Sequence, residues 1–125
     1  IIRIADWYGI KNIVCSSESA DFYNPKVLNS SMGSFTRVNV SYTDIYKFLL
    51  QVKSPIYGAF LDGKSIHQSK FSPSGVIVMG NESNGISDEV GALVTERITI
   101  PRFGSAESLN VAIATAIICD NFKRS

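Results

Sequence analysis

The chain has 125 residues, of which 45% are hydrophobic, and a formal net charge of +1. This length and apolar content fit one domain with a substantial core, and nothing indicates two domains. The nearly balanced charge excludes a general affinity for nucleic acid based on composition, so an RNA partner would require a local patch or a further segment.

The two cysteines, Cys15 and Cys119, are far apart in sequence and lack metal-type spacing. We expect buried free thiols rather than a disulfide, which favours a reducing cytoplasm. No apolar run approaches the length of a membrane span and no signal-peptide pattern is present, so a soluble protein is predicted. The chain begins without Met inside a helical pattern, and we therefore expect a fragment of a longer protein.

The first half of the chain alternates between helical and extended patterns. Apolar side chains recur at helical spacing over residues 1–8, and Gly9 is a good helix terminator. The next predictions are a strand at 12–15, a short helix from Pro25 to about Ser30, a strand at 35–40, and a helix around 45–52 that Ser41 or Thr43 caps and Pro55 ends.

Three strands are predicted in the second half. One covers residues 56–63 and is closed by an Asp62-Gly63 turn, and a polar connection over residues 64–74 follows it. The other two, residues 76–79 and 98–100, have the β-branched content of buried strands and stop abruptly at Gly80 and Pro101.

Each of the last two strands is followed by a loop and a predicted helix. Ser87 can cap the first helix, and Ser105 or Ser108 the second. The apolar stripe predicted for the last helix contains Leu109, Ala112, Ile113, Ala116 and Ile117. Alternating strands and helices predict an α/β fold around a mainly parallel sheet of five or so strands, flanked by helices.

Loops that follow parallel strands and lead into helices are common ligand sites. The loop G-N-E-S-N-G at 80–85 lacks the middle glycine of a dinucleotide fingerprint and the Lys-Ser/Thr of a P-loop. There is no G-x-S-x-G elbow, and the single histidine, His67, is expected to be a solvated loop residue. No His, Cys and carboxylate cluster has metal spacing, so no metal is expected.

Two longer segments carry a family resemblance. VMGNESNGIS at 78–87 and IPRFGSAESLNVAIATAI at 100–117 resemble the second and third motifs of the SpoU family of RNA 2′-O-ribose methyltransferases, of the SPOUT superfamily, and IIRIADWYGI at 1–10 resembles the latter half of the first motif. The similarity covers the chain to about Asp120. It implies one catalytic domain over residues 1–125, a C-terminal trefoil knot, S-adenosylmethionine as cofactor, RNA as substrate and a homodimer.

The resemblance also implies roles for individual residues. Gly80, Ile100 and Leu109 match positions that contact the cofactor, which agrees with a close backbone approach at glycine and apolar walls for adenine. Arg3 matches the catalytic arginine. Because arginine stays protonated, we interpret it as a clamp for the phosphate near the reacting hydroxyl, with a phosphate oxygen or water as proton acceptor.

Three further residues complete the implied catalytic set. Glu82 would orient Arg3 or balance its charge, and Ser108 and Asn110 would hold the ribose or Arg3. Each assignment has a structural alternative. Arg3 is then an exposed helix residue, Glu82 caps a helix or satisfies loop amides, and Ser108 and Asn110 cap a helix. Arg37 and Arg102 are either phosphate contacts or solvated charges, and Trp7, Tyr8, Tyr57 and Phe103 are expected in the core rather than as base-stacking platforms.

The sequence departs from the family pattern in two places. Ser83 stands where many relatives have glycine, so the loop is expected to differ slightly in shape. In the family an asparagine and a strand form the front of the first motif, and many relatives carry an N-terminal substrate-binding domain, and we expect both to lie outside this fragment. The main rival interpretation is a catalytically inactive methyltransferase-like protein that binds RNA or assists assembly. A third interpretation, an ordinary nucleotide-binding α/β domain, predicts affinity for NAD or ATP instead. The sequence does not choose between ribosomal and transfer RNA.

Overall fold

The computed structural model describes residues 2–16, 26–29, 38–80 and 85–124, which form an α/β fold. The strands are β1 (Asn12–Ser16), β2 (Lys26–Asn29), β3 (Asn39–Thr43), β4 (Ile56–Ser65), β5 (Val76–Met79) and β6 (Glu96–Thr99). The helices are α1 (Ile2–Trp7), α2 (Ile45–Leu50), α3 (Asp88–Gly91) and α4 (Val111–Arg124), with a 3-10 turn at Ile66–Gln68.

The strands form one sheet in the order β3-β1-β2-β5-β4-β6. β1 is parallel to β3, and β4 is parallel to both β5 and β6, whereas β2 is antiparallel to both of its neighbours. The predicted mainly parallel sheet is therefore confirmed. The predicted helix at 25–30 is wrong, because the described part of that segment pairs with β1 and β5 as a strand.

Helices cover both faces of the sheet, so the core has two layers. On one face, Ile13 and Ile77 pack in a cluster with side chains from α1 and α4. On the other face, Val14 and Val78 pack with side chains from α2 and α3. All four residues of β5 are buried, as expected for a strand covered on both sides.

Turn and capping residues account for several element boundaries. Gly9 follows α1 with a φ of +70°, which confirms the predicted termination. α2 is capped by Asp44, whose Oδ1 accepts a hydrogen bond from the Lys47 backbone N–H at 3.1 Å. Ser41 and Thr43, predicted as caps, instead belong to β3, which extends further than expected because it pairs with β1 along its whole length. Residues 35–37 of that predicted strand lie outside the described residues.

The predicted turn at Asp62-Gly63 does not reverse the chain. β4 continues through it to Ser65, and its pairing with β6 shifts register between Ala59 and Lys64. At Gly63 an added Cβ would lie 2.6 Å from the Ile98 backbone nitrogen. The glycine is therefore required by a close backbone approach within an irregular strand pair rather than by a hairpin turn.

The face of α4 that packs against the core overlaps the predicted stripe only in part, since Ile117 is half-buried against the core. Its buried residues are Thr115, Ile118, Cys119 and Phe122, whereas Ile113 is 54% exposed. Thr115 tolerates burial because its hydroxyl donates a hydrogen bond to the Val111 carbonyl at 2.7 Å. Both cysteines are buried and neither forms a disulfide, as predicted.

Candidate active site

A cavity of about 380 Å³ lies where the carboxyl ends of β5 and β6 meet the first turns of α4. Buried or half-buried apolar side chains, including Met79, Val111 and Ile118, form part of its wall. The loop between β6 and α4 supplies much of the remainder, from Ile100 to Leu109. The cavity thus joins the two loops that the sequence indicated as a ligand site, together with the start of α4.

Two glycines bring the loop after β5 back upon itself at the cavity. Gly80 and Gly85 both line it, and Gly85 has a φ of +66°. An added Cβ at Gly80 would lie 2.6 Å from the Ile86 backbone nitrogen. Because the obstacle is backbone, which cannot rotate aside, only glycine fits at position 80 without moving the loop.

The α3 helix follows this loop and begins at the predicted residue. The Ser87 hydroxyl oxygen accepts a hydrogen bond from the Val90 backbone N–H at 3.3 Å. Asp88 and Glu89 lie in the first turn, where negative charge is favourable.

The loop that precedes α4 is exposed throughout residues 102–110 but contains defined hydrogen bonds. The Arg102 guanidinium donates to the Ala106 carbonyl at 2.8 Å. Asn110 Oδ1 accepts from the backbone N–H groups of Ala112 at 2.8 Å and Ile113 at 3.3 Å, and so caps α4. The prediction of Ser105 or Ser108 as the cap is wrong, because Asn110 is the residue whose oxygen reaches these donors.

An aromatic and ionic cluster borders the cavity on β4 and β6. The Phe60 ring lines the cavity, and the Arg97 guanidinium lies 3.6 Å from its centroid. Arg97 Nη2 also donates to Asp62 Oδ1 at 2.6 Å. This hydrogen bond lowers the pKa of the Asp62 carboxyl. No local sequence pattern indicates this cluster, because Asp62 and Arg97 are 35 positions apart.

The residues selected from the sequence do not all meet. Gly80, Ile100, Ser108 and Leu109 line the one cavity. Arg3 does not line it: this exposed side chain borders a separate surface depression with Ile2, Asp6 and Val38.

The remaining predicted residues fall outside the cavity wall or outside the described part of the chain. Asn110 is adjacent to the cavity but serves as the cap of α4. Glu82, Ser83 and Arg37 lie outside the described residues. His67 is exposed in the 3-10 turn, as predicted.

The four aromatic residues expected in the core divide into two groups. Tyr57 is buried, and Tyr8 is half-buried with its hydroxyl 3.4 Å from Asp120 Oδ1. Trp7 is 82% exposed and Phe103 is 95% exposed, so the core prediction is wrong for both.

Within ranges 2–16, 26–29, 38–80 and 85–124, no helix has both the length and the apolar character needed to cross a bilayer. Over the same ranges, no three His, Cys, Asp or Glu side chains converge as a metal site requires.

Comparisons with known proteins agree with the motif resemblance. The chain is 31% identical over 122 residues to the 23S rRNA (guanosine(2553)-2′-O)-methyltransferase RlmP of Bacillus subtilis, covering 94% of this chain and 49% of that protein. A structure described as a putative RNA methyltransferase of the TrmH family from Porphyromonas gingivalis matches with a TM-score of 0.75 at 38% identity, over 99% of this chain and 53% of that one.

A third relative was solved with the methyl donor. The AdoMet-bound rRNA methyltransferase from Sinorhizobium meliloti matches with a TM-score of 0.79 at 27% identity, over 98% of this chain and 49% of that one. The chain therefore spans about half the length of these relatives. The model of the SpoU rRNA Methylase family matches residues 1–120, and the chain belongs to that family.

Proposed function

We propose that residues 1–125 are the catalytic domain of an S-adenosylmethionine-dependent methyltransferase that acts on a ribose 2′-hydroxyl of ribosomal or transfer RNA. The observation that carries this proposal is the single cavity shared by Gly80, Ile100, Ser108 and Leu109. Family membership and the donor bound to the Sinorhizobium meliloti relative support it.

The cavity fits a nucleoside-based methyl donor. Its volume lies in the range of small-ligand sites, about 300–1,000 Å³. Ile100, Val111 and Ile118 provide apolar walls for a purine ring, and the exposed loop backbone provides hydrogen-bonding groups. Gly80 allows the loop after β5 to approach a ligand closely. When bound, S-adenosylmethionine supplies an electrophilic methyl group on a sulfonium.

The protein's own contribution is to bind and orient the acceptor ribose. Ser108 lines the cavity and can donate a hydrogen bond to a ribose oxygen. The Asn110 side-chain oxygen is engaged by the α4 cap, so its amide nitrogen is the group that can donate to ribose or phosphate. Glu82, in our proposal, orients the catalytic arginine.

Arg3 would bind the phosphate next to the reacting hydroxyl. Since a guanidinium remains charged, it stabilises the developing oxyanion while a phosphate oxygen or water takes the proton. Arg3 and the cavity lie on different parts of the chain's surface. We therefore infer that a second copy of the chain brings its arginine to the cavity, and that the active form is a homodimer.

The remaining family features belong to the same proposal. We infer a trefoil knot in the C-terminal part. Support comes from the crossing of the chain over β4 between β5 and β6 and from the return of α4 to pack against α1. We place the protein in the cytoplasm, where ribosomal and transfer RNA are found, and assign recognition of the RNA partly to a further domain.

Two measurements on the full-length protein test the function. Calorimetry is expected to detect binding of S-adenosylmethionine. Transfer of a labelled methyl group to RNA from cells that lack the gene should then place the label on ribose 2′-oxygens. Absence of binding at millimolar donor would favour the rival, an inactive RNA-binding protein. Donor binding with label on a base rather than on ribose would contradict the assigned reaction.

A further inference from the structure

Two large apolar side chains line the cavity and yet are almost fully solvent-exposed. Phe103, in the loop between β6 and α4, is 95% exposed, and Leu61, on β4, is 82% exposed. They come from different segments and converge on one opening. An aromatic ring that contributes almost nothing to the core of its own chain, placed at the opening of a ligand cavity, indicates a contact with a molecule outside that chain.

The size of the cavity restricts what that contact can be. At about 380 Å³ it is near the lower end of small-ligand sites, which suits a single nucleoside-sized ligand, the methyl donor. The acceptor ribose must therefore approach from outside. One glycosidic bond joins the acceptor ribose to its base. When the 2′-oxygen of this ribose reaches the donor, the base therefore lies at the cavity opening.

The charges beside Phe103 favour a base over a phosphate at this position. Arg102 and Glu107 both line the cavity in the same loop and have opposite signs, so the opening has little net charge. Arg102 is also tied to the Ala106 carbonyl at 2.8 Å, which fixes the backbone on the C-terminal side of Phe103. An apolar ring on a restrained loop suits stacking, which every nucleobase accepts.

From this arrangement we propose that Phe103 is a positioning residue on which the base of the methylated nucleotide stacks, with Leu61 as a second apolar contact. This inference rests on the proposed function. The stacked base fixes the rotation of the ribose and so directs its 2′-hydroxyl into the cavity. Phe103 thereby contributes to selection of an unpaired target nucleotide.

The test compares full-length variants with labelled S-adenosylmethionine and with RNA from cells that lack the gene. Phe103→Ala is expected to lower kcat/KM for RNA about tenfold or more, the loss typical of one stacked base. Phe103→Trp should retain wild-type kcat/KM within about threefold, because indole also stacks. The matched control is Tyr42→Ala, an aromatic on β3 that is 58% exposed and does not line the cavity.

An RNA with an abasic target nucleotide provides the sharper readout, once the methylated position has been mapped. Wild type and Phe103→Ala should methylate this RNA equally, because the base that distinguishes them is missing. A tenfold difference that persists on abasic RNA overturns the inference. A tenfold increase in the Kd of S-adenosylmethionine for Phe103→Ala also overturns it, because the ring would then contact the donor.

The inference and the proposed function fail in different ways. If wild type transfers methyl to ribose and Phe103→Ala keeps the same kcat/KM, the function stands and the stacking role is wrong. If wild type transfers no methyl to any RNA, the function fails and the inference fails with it.

Discussion

At the scale of single residues, Gly80 has no space for a side chain larger than its hydrogen. An added Cβ would meet the backbone of Gly85 and Ile86. We expect Gly80→Ala to lower the free energy of unfolding by about 1–3 kcal/mol, as overpacking does. Because the displaced loop lines the cavity, the Kd for S-adenosylmethionine should rise about tenfold or more, measured by calorimetry.

Gly91→Ala is the matched control for that substitution. Its added Cβ would be in ordinary contact with Phe60 at 3.5 Å, and Gly91 does not line the cavity. Alanine is the better helix former by about 1 kcal/mol, so stability should stay equal or increase. Equal donor affinity in Gly80→Ala and wild type would show that the loop can move aside.

The sequence predicted part of the site at this scale. Motif position indicates Gly80, Ile100 and Leu109, and all three line the cavity. Each can be recognised locally, the first as a turn glycine and the other two as apolar residues. The Phe60, Asp62 and Arg97 cluster leaves none, because it depends on the pairing of β4 with β6. The exposure of Phe103 could not be predicted from the sequence either, since hydrophobicity alone predicts burial.

Cys119 provides a pH-dependent test of the core. Burial raises the pKa of its thiol from 9.0 to about 11. The folded state therefore holds the proton more tightly than the unfolded state, and this stabilisation is present below pH 9 and is lost as pH rises towards 11. A shift of this size corresponds to about 3 kcal/mol.

The measurement is the free energy of unfolding of wild type and Cys119→Ala at pH 8 and at pH 10.5. Other groups titrate in both proteins and cancel in the difference. We expect wild type to lose more stability than the variant between the two pH values. If the two proteins differ in free energy of unfolding by the same amount at both pH values, burial does not protect the thiol from ionisation.

At the scale of elements, the strands were easier to predict than the helix faces. β5 is apolar at every position and ends at a glycine, so its pattern is unambiguous. β2 has only four residues, and its extended conformation depends on β1 and β5 on either side, which no local pattern records. α4 has apolar residues around much of its circumference, so periodicity alone could not indicate which face packs on the sheet.

At the scale of elements, the residue that caps α4 and the serine that lines the cavity can be tested separately. Asn110→Ala removes the acceptor for two backbone N–H groups and should lower the free energy of unfolding by about 1 kcal/mol. Ser108→Ala removes a cavity hydroxyl that caps nothing, so stability should stay within about 0.5 kcal/mol. Chemical denaturation gives both values. A larger decrease in the free energy of unfolding for Ser108→Ala would mean that the serine caps α4.

At the scale of the whole molecule, alternation of strands and helices predicted a mainly parallel sheet, and the sheet order could not be predicted. That order places α1 beside α4, so the N-terminal and C-terminal motifs share one face of the sheet. Even so, Arg3 and the cavity remain on separate parts of the surface. Proximity of the motifs within one chain therefore does not bring Arg3 into the cavity wall, and the proposed mechanism assigns the arginine to a second copy of the chain.

Subunit complementation tests that requirement. Arg3→Ala keeps the cavity intact, and Ala106→Trp places an indole in the cavity from an exposed position, so the core should not be disturbed. Each variant alone is expected to be inactive, and calorimetry should show donor binding only in the first. If a partner supplies the arginine, an equal mixture re-associated into dimers should recover about a quarter of wild-type methyl transfer, since about half the dimers carry one complete site. If Arg3 acts on the cavity of its own chain, no dimer in the mixture contains a complete site, and activity should stay at the level of the separate variants.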